Sequence, residues 1–317
     1  DVTDYSRTLD MNTAVAATSY TCGGKHYTRE SFVSYPDQVL VTRISCESAG
    51  SVSLTASYDC SLKDQFSVAT DGNDTLVMNG HGDSEYGMPY AVWFSTRTKV
   101  IPEGGSVSAG GGKVTVTGAD SVLVLTSIRT NFVDSKTCNG DEKGNAAKDL
   151  AAAAGKSFNE LKEAHLADYQ ALFSRVDVEL GGSAESASKP VPQRISEFGR
   201  SNDPKLVEVL FQYGRYMMIA ASRDSEPMNL QGIWNKFRDP AWGCKYTTNI
   251  NYEMNYWPAM TTNLAECFRP FVNKAKAMQQ NGNQTAQEVY GVSEGWVVHH
   301  NTDLWNRTGP IDGAWGI

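Results

Sequence analysis

The sequence predicts a multidomain β-plus-α protein with an N-terminal antiparallel β-sandwich, a helical linker and a C-terminal helical domain. Short runs of alternating apolar and polar residues, separated by turn residues, continue to about residue 135. The apolar period then lengthens to that of a helix near residue 145. A chain of 317 residues, 40% of them hydrophobic, also forms two domains more naturally than one. We place the sandwich at 1–140, the linker and a loop at 141–195, and the helical domain at 196–317.

Strands are clearest in three segments of the first domain. Residues 113–117 and 121–126 alternate between apolar and polar side chains, as strands with one buried face do. Residues 51–58 place four side chains on one face: Val52, Leu54, Ala56 and Tyr58.

The linker begins a helix at Ser157, because Ser157 and Glu160 have the spacing of a capping box. An apolar stripe follows at helical spacing: Phe158, Leu161, His165, Tyr169 and Leu172. A lone histidine on such a stripe is usually packed and hydrogen-bonded, so we favour that role for His165 over a catalytic one.

Residues 181–193 are rich in Gly, Ser, Ala and Pro, which predicts a loop at the domain boundary. Asp203-Pro204 then has the character of an N-cap and first-turn pair. The helix that follows would have one apolar face: Leu206, Leu210, Tyr213, Met217 and Ala220. Further helices are expected at about 251–260 and 264–278.

Composition limits the partners. The formal charge is −8, the pI about 5.2, and Lys and Arg form no stripe, so a nucleic-acid partner is disfavoured and a neutral or small molecule fits better. No apolar run approaches the roughly 20 residues of a membrane span. No paired cysteine motif suggests a metal site, and we expect neither a metal nor another cofactor.

Six widely spaced cysteines and three N-x-[ST] sequons suggest an oxidising compartment, and therefore a secreted glycoprotein with disulfides. The sequons are at Asn73, Asn283 and Asn306. A signal peptide is not visible before Asp1, so we expect it to be removed or never present. The fifteen possible pairings stay open, and so does a cytosolic protein with six buried thiols.

Aromatic residues concentrate in the last third of the chain, next to the pair His299-His300. Tryptophan faces suit the alternating C–H and hydroxyl surfaces of sugars, although some of these rings could simply pack between helices. Six of the seven tryptophans lie there: Trp234, Trp242, Trp257, Trp296, Trp305 and Trp315.

The densest polar segment is residues 246–257, which contains Asn249 and Asn251. In an extended stretch these two side chains would share one face and could hold a single water or hydroxyl. In a helix they would diverge. The alternative is that Asn251 caps the following helix and Asn249 caps a turn.

Three blocks in this region closely resemble glycoside hydrolase family 95, the inverting α-L-fucosidases. The blocks are Asn-Leu-Gln-Gly-Ile-Trp-Asn at 229–235, Tyr-Thr-Thr-Asn-Ile-Asn-Tyr-Glu-Met-Asn-Tyr-Trp-Pro at 246–258, and Gly-Trp-Val-Val-His-His-Asn-Thr-Asp-Leu-Trp at 295–305. Residues 27–37 and 164–176 resemble the sandwich and the linker of the same family. The resemblance therefore covers essentially the whole chain.

The resemblance implies a β-sandwich, a linker and the start of an (α/α)6 barrel that hydrolyses terminal α-L-fucosides, typically 1,2-linked, without a cofactor. It implies that Asn249 and Asn251 orient the attacking water for a catalytic aspartate, while a glutamic acid protonates the leaving group. His300 and Trp305 are expected to line the sugar pocket, and Trp234 is a further candidate contact.

Both catalytic carboxylates of the family lie beyond the block at 295–305, so we expect them outside this chain. We assign neither role to Glu253, Glu294, Asp303 or Asp312. The expected partners are a fucosylated glycan and the C-terminal remainder of the same enzyme. A barrel with so few helices should leave apolar helix faces uncovered.

Thr247 bears on the choice of sugar. Some fucosidases of this family have histidine at this position near the C5 substituent, and a smaller residue would leave room for a hydroxymethyl group. An α-L-galactosidase of the same family is therefore an alternative. A non-catalytic sugar-binding fragment and a scaffold without a ligand also remain open.

Overall fold

The computed structural model describes residues 1–83, 92–182, 184–311 and 313. Contacts divide the chain into two compact units, Asp1–Tyr169 and Gln170–Ile317. The positions of Asp312 and Trp315 lie outside the described residues.

The first unit is built on an eight-stranded antiparallel sheet. Its strands have the order β1-β2-β3-β4-β11-β8-β7-β6. Their bounds are β1 Val2–Asp10, β2 Val15–Cys22, β3 Lys25–Ser34, β4 Val39–Cys46, β6 Phe66–Asp71, β7 Thr75–His81, β8 Trp93–Glu103 and β11 Ser121–Thr130.

A smaller antiparallel sheet, with the order β5-β10-β9, packs against one face of the large sheet. Its strands are β5 Val52–Ser57, β9 Ser106–Gly110 and β10 Lys113–Ala119. The alternation in the sequence is confirmed, since Val52, Val114 and Val116 are buried together with Val100 and Val122 of the large sheet. The unit is therefore the predicted β-sandwich.

Two helices cover the other face of the large sheet, so the linker helices belong to the packed unit. They are α1 Glu142–Ala154 and α2 Phe158–Phe173. Leu150 and Leu161 pack with Phe32, Val41 and Leu125 of the sheet.

The predicted capping box is confirmed at the start of α2. The Glu160 carboxylate accepts a hydrogen bond from the Ser157 backbone N–H at 2.7 Å, and the Ser157 hydroxyl accepts one from the Glu160 N–H at 3.3 Å. His165 is only 4% exposed. It hydrogen-bonds the Thr13 carbonyl at 2.8 Å and stacks on Phe32 at 4.7 Å, so it is a packed core histidine.

All six cysteines carry free thiols in this structure. Cys22 ends β2 and Cys46 ends β4, with β3 between them. Two strand spacings separate them by about 9–10 Å, beyond the roughly 7 Å limit between the Cα atoms of a disulfide. The sheet therefore excludes a pairing of Cys22 with Cys46, and disulfides elsewhere stay a prediction.

The second unit is helical, and short helices replace the loop predicted at 181–193. Its helices are α3 Ala184–Ser188, α4 Val191–Glu197, α5 Pro204–Ala221, α6 Asn251–Met254, α7 Pro258–Thr261 and α8 Arg269–Tyr290. The predicted helix at 251–260 is two short helices, with Pro258 at the start of the second. Helix α8 begins later and runs twelve residues further than the predicted end at 278.

Helix α5 begins as predicted, with the Asp203 side chain accepting a hydrogen bond from the Leu206 N–H at 3.2 Å. Asp203 also receives two hydrogen bonds from the Arg194 guanidinium, at 2.8 and 2.9 Å, which tie α4 to α5. The predicted apolar face is largely uncovered, with Leu210 69% exposed and Tyr213 44% exposed.

Candidate functional site

Hydrogen bonds bring the three sequence blocks together. The middle block is joined to the first by a hydrogen bond from the Asn255 side-chain amide to the Asn229 carbonyl at 3.0 Å. Tyr246 and Thr302 exchange two backbone hydrogen bonds, at 3.1 and 2.9 Å, and so join the middle block to the third. We call this pair the 246–302 bridge. The Thr248 N–H extends it by donating to the His300 carbonyl at 2.9 Å.

The segment 247–251, here called the amide turn, follows the bridge directly. The stretch is not extended: residues 248–250 form a turn and Asn251 begins α6. The turn is closed by a backbone hydrogen bond from the Tyr252 N–H to the Thr247 carbonyl at 2.9 Å. Asn249 and Asn251 would share one face only in an extended strand, so that prediction does not apply here. Both residues nevertheless lie within this one turn.

The capping alternative for the two amides also fails. The N-cap of α6 is Ile250, and no side chain caps it. Among the residues that the structure describes, neither Asn249 nor Asn251 makes a side-chain hydrogen bond to another residue. Asn249 is exposed and Asn251 is partly buried. Both amides are therefore free to bind a water or a hydroxyl group.

Thr247 and His300 lie on the two segments that the 246–302 bridge and the bond from Thr248 to the His300 carbonyl join. Both side chains are partly buried. The neighbouring His299 has a structural role: one ring nitrogen hydrogen-bonds the Thr308 carbonyl at 2.7 Å and the other the Tyr290 hydroxyl at 2.6 Å. Of the two adjacent histidines, His299 therefore has a structural role, and His300 remains the candidate for binding the sugar.

Trp305 is partly buried in the turn 303–307. The Asp303 carboxylate closes this turn by accepting hydrogen bonds from the N–H groups of Trp305 at 2.9 Å and Arg307 at 3.2 Å. Trp234 is 43% exposed beside Gly232. Gly232 has a φ of +73° and no room for a Cβ, which would lie 3.0 Å from the Trp234 ring.

The sequence assigns no role to Glu253, but the structure identifies it as a further candidate binding residue. One of its carboxylate oxygens is buried and has no hydrogen-bond partner among the described residues. Glu253 lies on α6, two residues after Asn251. A buried oxygen of this kind is costly unless a ligand satisfies it, but no residue pattern could have predicted that the oxygen is unpaired.

Three buried tyrosines, Tyr246, Tyr252 and Tyr256, form an aromatic cluster whose members lie on either side of the amide turn in the sequence. Tyr252 stacks on Phe271 at 4.5 Å and meets the rings of Tyr246 and Tyr256 edge-on. Burial raises the pKa of all three hydroxyls above the usual tyrosine range, so they stay protonated. Their rings hold α6 against α8.

The three glycosylation sequons lie in different surroundings. Asn73 is exposed in the turn between β6 and β7, and Asn283 is exposed on α8. Asn306 is only 2% exposed, so burial argues against a glycan there in the folded domain. Glycosylation of Asn73 and Asn283 stays a prediction.

The described ranges, 1–83, 92–182, 184–311 and 313, show neither of two further features. Within them, no helix combines the length and apolar character needed to cross a bilayer. No group of three or more His, Cys, Asp or Glu side chains there could hold a metal ion.

Two protein-family models match this chain. The glycosyl hydrolase family 95 catalytic domain matches residues 157–317, and the glycosyl hydrolase family 65 N-terminal domain matches residues 1–135. Among solved structures, "Putative kojibiose phosphorylase from human microbiome" superposes with a TM-score of 0.63 over 97% of this chain and 39% of its own. Its sequence identity of 12% shows a shared fold alone.

Curated relatives extend the likeness along the whole chain. "Alpha-L-fucosidase 2" of Arabidopsis thaliana is 36% identical over 99% of this chain and 40% of its own length. "Probable alpha-fucosidase A" of Aspergillus niger is 32% identical, covering 99% of this chain and 41% of its own. The chain thus spans about two fifths of the length of these relatives. Because the catalytic-domain match takes in about half of the chain, this protein belongs to glycosyl hydrolase family 95.

Proposed function

We propose that this chain forms the first part of an exo-acting glycosidase that releases terminal α-L-fucose, 1,2-linked, from oligosaccharides or plant and host glycans. The names of the curated relatives support the sugar and the reaction class. The observation that carries the proposal concerns Asn249 and Asn251. Their side-chain amides make no hydrogen bond to another described residue, and the 246–302 bridge joins their turn to the segment that contains His300.

The proposed chemistry assigns one task to each group. The amide oxygens of Asn249 and Asn251 accept hydrogen bonds from a water and hold it on the face of the sugar opposite the leaving oxygen. An amide cannot take up the proton, so a carboxylate must receive it while an acid protonates the leaving group. We place both carboxylates outside this chain, in the C-terminal remainder, which makes that remainder a necessary partner. Inversion follows if a water attacks directly.

The binding groups are proposed from the family resemblance, and the hydrogen bonds between their sequence blocks support the proposal. His300 would hydrogen-bond a sugar hydroxyl, and the rings of Trp305 and Trp234 would pack against its C–H faces. Glu253 could also be satisfied by a hydroxyl, since its buried oxygen has no partner among the described residues.

Release of L-fucose from a 2′-fucosylated oligosaccharide by the full-length protein tests the proposal. Proton NMR of the first product should show β-L-fucose before mutarotation. Binding of the oligosaccharide without release would instead support a sugar-binding protein. Release of α-L-fucose first would contradict inversion.

An α-L-galactosidase is the second candidate, and the small side chain of Thr247 is the observation that favours it. Matched L-fucosyl and L-galactosyl substrates should separate the two activities. A pocket that only tolerates an added hydroxyl discriminates by about a hundredfold at most. Thr247→His should therefore lower kcat/KM for the galactoside more than for the fucoside.

We also propose secretion, on the basis of the sequons and the cysteine content. Digestion of the protein, purified from its natural source, with an endoglycosidase should lower its mass. An unchanged mass would argue against glycosylation at Asn73 and Asn283.

A further inference from the structure

Lys274 is a buried lysine on α8 at the base of the candidate site. Only 3% of its surface is exposed, although lysine is among the residues least often buried. An ammonium group removed from water must be compensated by charges and hydrogen bonds. Its partners therefore show which parts of the protein it holds.

The contacts of Lys274 connect the middle block with the residues that precede the first block. Its Nζ donates a hydrogen bond to the Glu226 carboxylate at 2.9 Å, just before the first sequence block. The same Nζ lies 4.8 Å from the centre of the Tyr246 ring, in the middle block. The negative charge of Asp303, in the third block, also acts on it.

Opposing effects act on the charge of Lys274, and their net result is a lowered pKa. Burial lowers its pKa, while Glu226 and Asp303 raise it. Tyr246 stays a neutral phenol, because burial and the same two carboxylates raise its pKa. Its ring therefore presents a fixed, negative π-face to the ammonium.

Stability alone is a poor explanation for this cluster. Buried ion pairs can often be replaced by apolar side chains of similar size with little loss of stability. Such pairs can instead select one arrangement of the surrounding segments. Lys274 has partners that fit this second role, because the Tyr246 ring belongs to the bridge itself and Glu226 lies just before the first sequence block.

We propose that Lys274 is a positioning residue, whose ammonium group acts as a clamp that holds the Glu226 carboxylate and the Tyr246 ring together and thereby fixes the 246–302 bridge next to the amide turn. The catalytic half of this proposal rests on the proposed function. Lys274 itself touches no reacting atom.

Hydrogen exchange of the full-length protein tests the clamp without any assay of activity. Lys274→Met keeps the length of the side chain and an apolar contact with Tyr246, so the domain should still fold. Peptides containing the amides of Tyr246, Thr248 and Thr302 should exchange about tenfold faster than in the wild type. Lys276→Met, an exposed lysine on the same helix, is the matched control and should leave exchange unchanged.

Kinetics test the positioning role. In Lys274→Met, kcat for fucose release should fall by about tenfold or more while KM changes less than about twofold, since misplaced groups weaken the transition state more than substrate binding. Adding Glu226→Gln removes the carboxylate left without its partner. The double variant should regain thermal stability but not kcat.

The outcomes separate the alternatives. Unchanged exchange in Lys274→Met overturns the clamp. Faster exchange with normal kcat overturns the positioning role, and so does recovery of kcat together with stability in the double variant. An inactive wild-type protein contradicts the proposed function, and exchange alone then decides whether Lys274 holds the bridge.

Discussion

Arg215 is the side chain whose removal should cost the helical unit most. It is 2% exposed on α5, and its guanidinium donates to the carbonyls of Leu172 at 3.0 Å and Phe173 at 2.6 Å. These carbonyls belong to the last turn of α2, where no helical N–H can reach them. Arg215 also donates to the carbonyls of Val176 at 3.2 Å and Thr262 at 3.3 Å.

The cost depends on which donors remain for these four carbonyls. Arg215→Met keeps the apolar stem but removes the hydrogen bonds from the guanidinium. The Val176 carbonyl keeps the Gln212 amide at 2.9 Å. The Leu172 carbonyl keeps the Arg175 N–H at 3.5 Å.

The main cost therefore comes from the carbonyls of Phe173 and Thr262, at about 1 kcal/mol each at the lower end of the usual range. We therefore expect a loss of about 2 kcal/mol or more, a sizeable part of the roughly 5–15 kcal/mol that typically stabilises a domain. Arg215→Lys keeps the charge but has fewer donors, so its loss should be about half as large.

Urea unfolding measures this difference. The midpoint of the helical unit should fall markedly in Arg215→Met and less in Arg215→Lys. Arg269→Met is the control, because Arg269 is 60% exposed in its ion pair with Asp224 and such pairs contribute little. Equal midpoints for Arg215→Met and Arg269→Met would refute the reasoning.

Three further predictions concern the amides, a histidine and a glycine. Asn249→Ala and Asn251→Ala should each lower kcat for fucose release by about a hundredfold and leave the melting temperature unchanged, since neither amide is spent on structure; an unchanged rate in both would remove them from the mechanism. Burial lowers the pKa of the His165 imidazole in the folded protein. Between this lowered pKa and the ordinary value of about 6.5, the unfolded chain therefore binds a proton that the folded protein does not. The free energy of unfolding should fall as the pH falls through this range. His165→Gln should flatten this slope in pH-dependent unfolding, and an identical slope would show that other groups cause it. Gly282→Ala would place a Cβ 2.8 Å from the Trp296 ring and should cost about 1–3 kcal/mol, seen as a lower melting temperature than that of an alanine at an exposed α8 position.

Local structure was predictable where neighbouring residues decide it. The capping box at Ser157 and Glu160 and the N-cap at Asp203 appear as expected, because each is closed within three residues. Alternation also placed Val114 and Val116 correctly in the sandwich core.

Long-range structure was not predictable in the same way. The apolar spacing of α5 predicts a buried face at Leu210, yet Leu210 is exposed and Arg215 is buried. Carbonyls at the end of a distant helix decide this outcome, and periodicity carries no information about them. The amide turn is likewise closed by backbone atoms of Thr247 and Tyr252, whose pairing no side chain specifies.

The resemblance to family 95 identified the candidate residues but did not predict how they are arranged in space. It brought Asn249, Asn251 and His300 into one hypothesis, and the structure places their segments side by side. It did not point to Lys274, because a lysine inside a helix reads as an ordinary surface residue until its burial is known.

The 246–302 bridge is made entirely of main-chain hydrogen bonds. The Thr247 side chain can therefore change without removing any hydrogen bond of the bridge. If Thr247 selects the sugar as proposed, one substitution there would change that preference while the main chain that carries Asn249 and Asn251 keeps its place.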